Sequence, residues 1–543
     1  MKSYLTEIVT NAIKNIGGDA ELPPVIIEKP RIPEHGDAAT NIALQLARPL
    51  KKSPRKIAEE IVAGLDYDPS KISEVQIAGP GFINFRFADE GLHEILDAVV
   101  KAGPNYGKST LNSGLKMQVE FVSANPTGPL TVGHGRNAVL GDTVARLLEW
   151  TGAEVDREYY FNNAGRQMRV LGESVKARYL QLLGEDAVFP EEGYEGEYIR
   201  DVAQTLVDRF SDKLKEALPD KEFKDAAESS IFKEIQQTLK RMDIEMDAFF
   251  NENELYKSGA IDEVLDKLDK KGLIYEKDGA VWYKTTEHGK DKDTVLKKST
   301  GEPTYRLPDI AYHANKLDRG YDLCVDVFGA DHIATYPDVL SAIETIGYDP
   351  KRVDVLVYQF VTIVKEGRPF KMSTRKANYV TLDELMDEVG ADVTRFFFLM
   401  RSPNTHLEFD IAQAKEAGEK NPVFYLQYAH ARIQSIFRKA NEEYKFEEKV
   451  NYSTLEHPSE TRLIKRISEF PAAIESAAIS KEPHRLINYL NDLAGDFHRF
   501  YHDCHILGQE LEIAHARVAL LLIVAQVLAN GLSILGIKAP DRM

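Results

Sequence analysis

The sequence has little cysteine and no apolar run long enough to span a membrane. Its two cysteines, Cys324 and Cys504, can form neither a disulfide framework nor a Cys-x-x-Cys zinc site. The longest apolar stretch, residues 518–529, is shorter than the roughly 20 residues that a membrane span needs, so it predicts a buried helix. Residues 1–17 alternate charged and apolar positions and lack the apolar core of a signal peptide. These absences predict a cytoplasmic protein that does not enter a membrane.

An excess of positive charge is also missing. The chain has 86 Asp and Glu against 68 Lys and Arg, a net charge of −18. This balance argues against a protein that coats nucleic acid indiscriminately, although a local patch can still recognise a specific RNA. Residues 421–543 are nearly neutral, with 14 basic and 15 acidic residues, and hold seven of the 14 histidines. This balance favours the last segment over the rest of the chain as an RNA-facing surface.

At 543 residues the chain is too long for one hydrophobic core, and it divides by pattern into several domains. Residues 1–110 predict a small α+β unit, with a helical start, a helix over 37–47 and a strand over 82–87. The Gly-Pro-Asn-Tyr-Gly segment at 103–107 is the expected linker to the next unit.

The middle and the end of the chain differ in their periodicity. Residues 111–390 alternate strands and helices, which predicts a doubly wound, Rossmann-type parallel sheet. The expected elements are strands at 117–122, 323–328 and 353–364, a helix at 137–150, and an acidic helical insertion at about 190–270. After a connecting segment at 391–420, residues 421–543 carry apolar residues at helical spacing and predict an all-α bundle.

The turn between the first strand and helix of the middle block has the composition of a phosphate site. Residues 123–137, SANPTGPLTVGHGRN, combine prolines and glycines with the start of a helix. Free N–H groups and the positive end of the helix dipole favour a phosphate there, and Gly133, His134 and Gly135 would allow close approach and supply a donor. A simple strand–helix turn is the alternative, because a glycine-rich turn alone is not specific.

A second candidate segment is cationic. Residues 361–376, VTIVKEGRPFKMSTRK, hold five basic residues and one acidic residue. A cationic loop after a strand suits a leaving polyphosphate, whose charge it would neutralise. The alternative is a solvated surface loop.

Two short motifs in these segments resemble the signatures of class I aminoacyl-tRNA synthetases. Residues 131–134, Thr-Val-Gly-His, resemble His-Ile-Gly-His, and residues 371–375, Lys-Met-Ser-Thr-Arg, resemble Lys-Met-Ser-Lys-Ser. The two motifs occur in the order typical of the class, 240 positions apart. Two of the departures from the signatures matter for the chemistry: Thr131 replaces the first histidine, and Thr374 replaces a lysine.

Further matches point to the arginyl-tRNA synthetases within this class and cover nearly the whole chain. They lie at residues 35–41 (HGDAATN), 157–165 (REYYFNNAG), 305–313 (YRLPDIAYH), 329–332 (GADH), 421–432 (NPVFYLQYAHAR) and 535–543 (LGIKAPDRM). The resemblance implies activation of L-arginine by ATP, with Mg²⁺ accompanying the ATP, and transfer to the 3′ end of tRNA(Arg). It also implies a monomer with an N-terminal domain at the tRNA elbow and an anticodon-binding bundle.

The resemblance assigns particular residues to four kinds of contact. The catalytic set is Thr131, Gly133, His134, Lys371, Ser373 and Arg375. The ATP-binding set is Pro129, Leu130, Thr131, Val132, Gly133, His134, Gly135, Asp331, His332, Lys371 and Met372. The arginine-binding set is Glu120, Asn125, Tyr305, Asp309 and Asp331. The tRNA-binding set is Tyr425, Tyr428 and Met543 in the bundle, with Phe82 and Asn84 in the first domain.

The candidates for the cation that meets pyrophosphate are Lys371, Arg375 and Lys376. No dedicated metal site in the protein is expected, and no side chain stands out as a general base. Catalysis is therefore expected to depend on positioning and electrostatics.

The two carboxylates implied for the arginine pocket, Glu120 and Asp309, suit a guanidinium, a planar fork of donors that pairs with two oxygens at once. Neutral amino acids would leave these carboxylates unpaired, and the ammonium of lysine cannot match the fork. Simpler interpretations remain open: Glu120 could belong to an ordinary ion pair, and Tyr305, His332 or a bundle tyrosine could belong to the core.

Two rival functions remain open from sequence. Another class I synthetase or a related ATP-dependent ligase would fit the loss of the first histidine, but the matches at 305–309 and 535–543 disfavour it. A tRNA-binding protein descended from a synthetase would fit both threonine replacements, but the retained residues of both signatures argue against it. Exchange of pyrophosphate into ATP would separate these functions.

Overall fold

The fold was analysed from a computed structural model that describes residues 1–17, 22–30, 32–163, 165–365, 367–369, 380–418, 420–446 and 449–543. The N-terminal elements are α1 (Lys2–Gly17), β1 (Ala38–Thr40), α2 (Ile42–Leu50), α3 (Pro54–Ala63), β2 (Ile72–Ala78), β3 (Phe82–Phe87) and α4 (Asp89–Ala102). The three strands form an antiparallel sheet in the order β1-β3-β2, and α1, α2 and α3 supply apolar side chains to its core. The predicted α+β unit is therefore present.

The helix predicted over residues 37–47 is wrong for its first part. Ala38–Thr40 form strand β1, paired antiparallel with β3 through Ala38 and Phe85, and the helix begins only at Ile42. Pairing with a neighbouring strand outweighs the local helical pattern, because propensity is a weak preference that tertiary contacts override.

The central part contains a five-stranded parallel sheet with helices on its faces. Its elements are β4 (Lys116–Glu120), α5 (Val132–Trp150), β5 (Glu154–Phe161), α6 (Gly165–Leu182), α7 (Glu197–Phe210), α8 (Lys224–Arg241), β6 (Ala248–Asn251), α9 (Asn253–Ser258), α10 (Ala260–Lys270), β7 (Ile274–Lys277), β8 (Ala280–Tyr283), β9 (Thr294–Lys297), α11 (Arg306–Asp318), β10 (Leu323–Gly329), α12 (Tyr336–Thr345), β11 (Val353–Tyr358), β12 (Val361–Lys365), β13 (Arg368–Pro369), α13 (Leu382–Val389), α14 (Ala391–Leu399), β14 (Leu407–Asp410) and α15 (Ile411–Ala414). The strand order is β11-β10-β4-β5-β6, and every neighbouring pair is parallel. This confirms the predicted doubly wound fold.

Helix α5 packs closely on the central strand β4. Met117, Val119 and Phe121 lie in the main core with the apolar residues of α5. Gly141 permits the close approach, because a Cβ at this position would lie 2.3 Å from the Cβ of Phe121. The opposite face of the sheet is covered by α11, so β4 is buried on both faces, as strands of doubly wound sheets are.

The single strand predicted over residues 353–364 is wrong. It is two strands in two sheets: β11 belongs to the parallel sheet, whereas β12 pairs with β13 and β14 in a separate three-stranded sheet. Between them the backbone of Gln359 turns away, with its N–H donating to Pro403 O and its carbonyl accepting from Arg136. These bonds to other segments end the ladder, and an apolar pattern alone does not reveal them.

The C-terminal elements are α16 (Pro422–Glu443), α17 (Pro458–Ser468), α18 (Phe470–Ser480), α19 (His484–Asp503) and α20 (Leu511–Ile534). They form the predicted helical bundle. Among the described residues, α20 alone has the length and apolar composition of a membrane-spanning helix, but 67 % of its most apolar window is buried inside the protein. The expected linker near Tyr106 is also packed, since the Tyr106 ring stacks on Phe470 at 6.0 Å between centroids.

Candidate active site at the carboxyl edge of the parallel sheet

The carboxyl ends of four parallel strands bring polar residues to one edge of the sheet. Glu120 ends β4, Asn162 follows β5, Glu252 follows β6, and Asp331 lies two residues beyond β10. Because parallel strands share one direction, the residues that follow them meet at the same edge, which is where open α/β sheets bind ligands.

The start of α5 is a capping box formed by two residues of the first motif. Thr131 is the N-cap, and its Oγ1 accepts from the N–H of His134 at 3.4 Å, while Nδ1 of His134 accepts from the N–H of Thr131 at 3.2 Å. A histidine that accepts at Nδ1 carries its proton on Nε2 when neutral. Burial lowers the pKa of His134, which favours this neutral form. Nε2 of His134 is thereby prepared to donate a hydrogen bond.

The two glycines of this motif have different surroundings. A Cβ at Gly133 would meet only Thr131 Oγ1, at 3.7 Å, whereas a Cβ at Gly135 would lie 2.6 Å from Leu382 Cδ1 and 3.0 Å from Phe398. The backbone N–H of Gly133 donates to no acceptor within the described part of the chain. Gly133 thus leaves an open backbone donor for a ligand, and Gly135 is required by packing against α13 and α14.

The other predicted nucleotide contacts on this turn present backbone rather than side chains. Leu130 and Val132 are 1 % and 6 % exposed, and Pro129 is half-buried. The backbone of both buried residues is bonded to the residues at the start of α13. Leu382 N–H donates to Leu130 O at 2.8 Å, and Val132 N–H donates to Val380 O at 3.3 Å.

The second motif falls outside the described residues, as do the predicted contacts Lys371, Met372, Ser373, Arg375 and Lys376 and the replacement Thr374. Its C-terminal flank is nevertheless fixed. The bonds of Val380 and Leu382 to residues 130–132 attach residues 380–382 to the start of α5. The described residues that follow the second motif therefore lie beside the first motif.

The backbone between β4 and the turn is strained. Val122 and Ser123 have φ values of 67° and 43°, in the left-handed region that a β-branched residue rarely adopts. Asn137 on α5 holds this conformation by accepting from Val122 N–H at 2.6 Å and donating to Val327 O at 2.8 Å. The strain ends the predicted strand 117–122 at Glu120 and places the Ser123 hydroxyl 2.9 Å from Oε1 of Glu120.

Glu120 lies in a buried ionic network. Its Oε2 accepts from Nζ of Lys316, a fully buried residue that also donates to Asp326 Oδ1 at 2.6 Å. Asp326 Oδ2 in turn bonds Nε2 of His313 at 2.8 Å. The Lys316 ammonium and the bonds from His313 lower the pKa of Asp326 despite its burial. Glu120 thus has a resident cation, as the ion-pair interpretation of the sequence allowed.

Asp309 on α11 lacks such a cation. Among the described residues no group donates a hydrogen bond to its carboxylate. Burial raises the pKa of Asp309 to about 7, and the nearby Glu120 and Glu252 add to the rise. A buried carboxyl group with a raised pKa binds a cation readily. The bound positive charge would offset both the cost of burying the carboxylate and its repulsion by Glu120 and Glu252.

A cavity of about 850 Å³ opens at this edge. Asn125, Tyr305 and Glu252 are among the residues that line it. Glu252 is 7 % exposed, and the described residues that donate to it are neutral: Tyr160 Oη at 2.6 Å, Asn162 Nδ2 at 2.8 Å and Tyr256 Oη at 3.4 Å. Burial raises the pKa of Glu252. Tyr305 is 77 % exposed at the rim and is not a core aromatic.

Asp331 and His332 lie at the end of β10, on the α5 side of the site. Both side chains are exposed, and the His332 ring stacks on Phe328 at 5.1 Å. The interpretation of His332 as a buried core histidine is therefore wrong. Tyr358 connects this strand end to the first motif, because its hydroxyl lies 3.5 Å from Gly133 O.

One predicted tRNA contact of the bundle, Tyr428, belongs to a cation–aromatic cluster with Arg432 and Tyr501. Tyr428 is 40 % exposed, and its hydroxyl accepts from Arg432 at 3.1 Å. The Arg432 guanidinium also lies over the Tyr501 ring, 5.1 Å from its centroid. Tyr425 is half-buried with its ring 5.0 Å from that of His498, and Met543 is 57 % exposed.

The two predicted tRNA contacts of the N-terminal domain, Phe82 and Asn84, differ in their exposure. Phe82 is 40 % exposed, whereas Asn84 is 5 % exposed and its Nδ2 has no hydrogen-bond partner among the described residues. A buried amide donor without a partner is unusual, and Asn84 borders a small surface depression.

Sequence reasoning missed four residues that share these sites: Glu252, Lys316, Arg432 and Tyr501. Arg432 is the last residue of the match at 421–432. Its i,i+4 spacing from Tyr428 on a helix indicates that the two side chains are neighbours. Glu252, Lys316 and Tyr501 reach their partners through tertiary contacts between distant segments, and no local pattern marked them. In the described part of the chain, no three His, Cys, Asp or Glu side chains cluster in a way that could hold a metal ion.

Comparison with known proteins agrees with this geometry. Three family models match successive parts of the chain: the arginyl-tRNA synthetase N-terminal domain at residues 3–87, the class I (R) tRNA synthetase catalytic domain at 96–410, and the DALR anticodon-binding domain at 426–543. An arginine–tRNA ligase of Salinibacter ruber is 52 % identical over the full length of both chains. One from Desulfotalea psychrophila is 51 % identical over 95 % of this chain and 94 % of its own.

The solved structure of Thermus thermophilus arginyl-tRNA synthetase shares the fold. It covers 100 % of both chains with a TM-score of 0.78, at 22 % identity. Full-length identity above one half with arginine–tRNA ligases, together with the catalytic-domain match, shows that the chain belongs to the arginyl-tRNA synthetase family.

Proposed function

We propose that this arginine–tRNA ligase forms arginyl-adenylate and then arginyl-tRNA at the carboxyl edge of the parallel sheet, with the side chain of arginine held by Asp309. The observation that carries this assignment is the carboxyl group of Asp309, whose pKa is raised to about 7 beside two further carboxylates and which has no donor of its own among the described residues. A guanidinium supplies the missing donors and charge together.

Glu120, Asn125 and Tyr305 support arginine in different ways. Glu120 keeps Lys316 and the Ser123 hydroxyl as its partners and adds negative charge near Asp309. Asn125 bonds Asn162 N–H and Gln167 and lines the cavity, which suits it to hold the amino-acid backbone. Tyr305 covers the pocket at its rim.

ATP occupies the other side of the same edge, along the start of α5. The free N–H of Gly133 and Nε2–H of His134 donate to phosphate oxygens, and Asp331 and His332 contact the nucleotide from the end of β10. Thr131 fills the place of the first signature histidine and contributes through the cap that fixes the His134 tautomer. Pro129, Leu130, Val132 and Gly135 shape the turn.

The cations Lys371, Arg375 and Lys376, with Met372 and Ser373, complete the phosphate side. This assignment is supported by the bonds of Val380 and Leu382, which follow these residues in the chain, to residues 130–132. Mg²⁺ accompanying ATP would neutralise charge at the phosphates. The carboxylate of arginine attacks the α-phosphorus of ATP, forming the adenylate bond as the bond to pyrophosphate breaks. Positioning and donors aimed at developing charge account for the acceleration.

In the second step a terminal ribose hydroxyl of the tRNA attacks the adenylate carbonyl, and AMP leaves with the bonding electron pair. We assign Tyr425, Tyr428 and Met543 to the anticodon, joined by Arg432 and Tyr501, and Phe82 and Asn84 to the tRNA elbow. The proposed domains are residues 1–110, 111–390 and 421–543, joined by 391–420. We further propose a cytoplasmic monomer.

The test is arginylation of tRNA(Arg) with labelled arginine, compared with labelled lysine. The wild type is expected to charge the tRNA with arginine only. Asp309→Asn is expected to need far more arginine while it keeps its affinity for tRNA. Equal charging with both amino acids, or an Asp309→Asn variant that binds arginine as tightly as the wild type, would remove Asp309 from its assigned role.

A further inference from the structure

Lys316 on α11 is a fully buried lysine that the proposed chemistry does not use. Its ammonium donates to Glu120 Oε2 and to Asp326 Oδ1, the latter at 2.6 Å. Nζ also lies 4.3 Å from the centroid of the Tyr312 ring. Although burial lowers the pKa of Lys316, Asp326 and Glu120 raise it by more, so the ammonium stays charged.

The position of this ion pair indicates a role in the site rather than in the fold. A buried ion pair is weak evidence for stability, because well-packed apolar residues can often replace one without loss. Here one of the two carboxylates is Glu120, which ends β4 at the carboxyl edge of the sheet. Its charge adds to the rise that burial causes in the pKa of Asp309. Lys316 therefore pairs with a carboxylate that borders the arginine pocket.

The internal donors of the protein decide which acceptors remain for a substrate. Both oxygens of Glu120 are engaged, Oε2 by Lys316 and Oε1 by the Ser123 hydroxyl at 2.9 Å. Glu252 already accepts from three neutral donors. Asp309 is the third carboxylate of the pocket, and no described group donates to its oxygens. One carboxylate with two open oxygens is thus left for the side chain of the amino acid.

A guanidinium and an ammonium use such a carboxylate differently. The guanidinium presents two parallel donors, which one carboxylate satisfies in a bidentate pair. The ammonium is a compact charge with three donors, and these diverge, so it needs acceptors from more than one group. Glu120 would supply the second acceptor beside Asp309 if its oxygens were open. The ammonium of Lys316 already bonds Glu120 and repels a second ammonium that approaches it.

We propose that Lys316 determines the specificity for arginine over lysine. Its ammonium engages Glu120 and thereby leaves Asp309 as the open carboxylate, which a guanidinium satisfies and an ammonium does not. Lys316 acts through Glu120 and is therefore a positioning residue. The inference rests on the proposed function, in which Asp309 holds the side chain of arginine, and adds to it the group that excludes lysine.

The test removes the ammonium and measures which amino acid binds. Lys316→Met introduces an unbranched apolar side chain of similar length. Lys316→Met/Asp326→Asn removes one positive and one negative charge together, and it decides the test if the single variant does not fold. The matched control is Lys316→Met/Glu120→Gln, which removes the ammonium and also the carboxylate that it engages. Isothermal titration calorimetry gives the dissociation constants of L-lysine and L-arginine, and circular dichroism checks that each variant is folded.

The two variants that keep Glu120 are expected to bind lysine at least about tenfold more tightly than the wild type, which is the gain of one charge-assisted hydrogen bond. Their affinity for arginine should change by a smaller factor, because Asp309 already satisfies the guanidinium. The control with Glu120→Gln should bind lysine as weakly as the wild type does. A merely structural role of Lys316 would not shift the ratio of the two affinities in this way.

An unchanged affinity for lysine in a folded variant that keeps Glu120 would overturn the proposal. An equal gain in the control would also overturn it, because a loosened pocket rather than the release of Glu120 would then admit lysine. Arginine-dependent exchange of pyrophosphate into ATP by the wild type, measured with tRNA present, tests the proposed function separately. Exchange by the wild type without a gain of lysine binding in the variants refutes the role of Lys316 alone.

Discussion

Replacing Asp309 by asparagine removes a carboxylate that the free protein does not use. No described group donates to it, so the substitution breaks no hydrogen bond among the described residues. With arginine bound, the variant loses a charge-assisted hydrogen bond, which is worth about 1.5–3 kcal/mol. Since 1.4 kcal/mol corresponds to a factor of ten, the dissociation constant of arginine is expected to rise about 10- to 150-fold. Isothermal titration calorimetry with L-arginine measures it directly.

The pH dependence of the same titration gives an independent check. The pKa of Asp309 is raised to about 7 in the free protein, and a bound guanidinium favours the ionised form. Arginine binding by the wild type therefore weakens as the pH falls below 7, by about tenfold between pH 8 and pH 6. Asparagine does not titrate, so the variant is expected to bind weakly and equally at both values.

The stability of the same variant separates binding from folding. Because folding raises the pKa of this carboxyl from 3.8 to about 7, the wild type loses stability from this group as the pH rises through that window. Asp309→Asn is therefore expected to melt no lower than the wild type at pH 8. A lower melting temperature at pH 8, or an unchanged arginine affinity across pH 6 to 8, would refute the reasoning about Asp309.

Three further changes have expected outcomes. Glu120→Gln leaves buried Lys316 with Asp326 alone and replaces a charge-assisted hydrogen bond, so it should lower the unfolding free energy by about 1.5–3 kcal/mol in thermal or urea denaturation, unlike Asp309→Asn; an unchanged stability would contradict the network. Gly135→Ala should cost about 1–3 kcal/mol of stability by overpacking against Leu382, whereas Gly133→Ala should fold normally and raise the KM for ATP; equal effects of the two would contradict the assignment of Gly133. Tyr501→Ala should weaken tRNA binding by about 1–3 kcal/mol and leave arginine binding unchanged in calorimetry; unaltered tRNA affinity would exclude Tyr501 from the anticodon surface.

The fold class was predictable because the periodicities are strong and non-local contacts agree with them. The strand–helix alternation of the middle block and the helical spacing after residue 421 both correspond to observed elements. The errors lie where tertiary bonds override local pattern. Ala38–Thr40 pair with β3, and Gln359 bonds to Pro403 in place of a strand partner.

The site was predictable as far as residues follow strand ends or belong to motifs. Glu120 and His134 could be placed at the sheet edge because each is adjacent to a strand or a helix start. The ionic partner of Glu120 and the tautomer of His134 could not be predicted from the sequence. That Glu120 already has a cation depends on Lys316, 196 positions away, and that His134 presents Nε2 depends on the cap geometry of Thr131.

The most direct test of the whole account is arginine-dependent exchange of pyrophosphate into ATP, measured with and without tRNA(Arg) and with lysine as control. The account predicts exchange with arginine in the presence of the tRNA and none with lysine. Exchange that appears only when tRNA is added would also show that tRNA binding gates activation. No exchange under either condition, with tRNA binding intact, would contradict the account: Thr131 and Thr374 would then mark a site that binds tRNA without activating an amino acid.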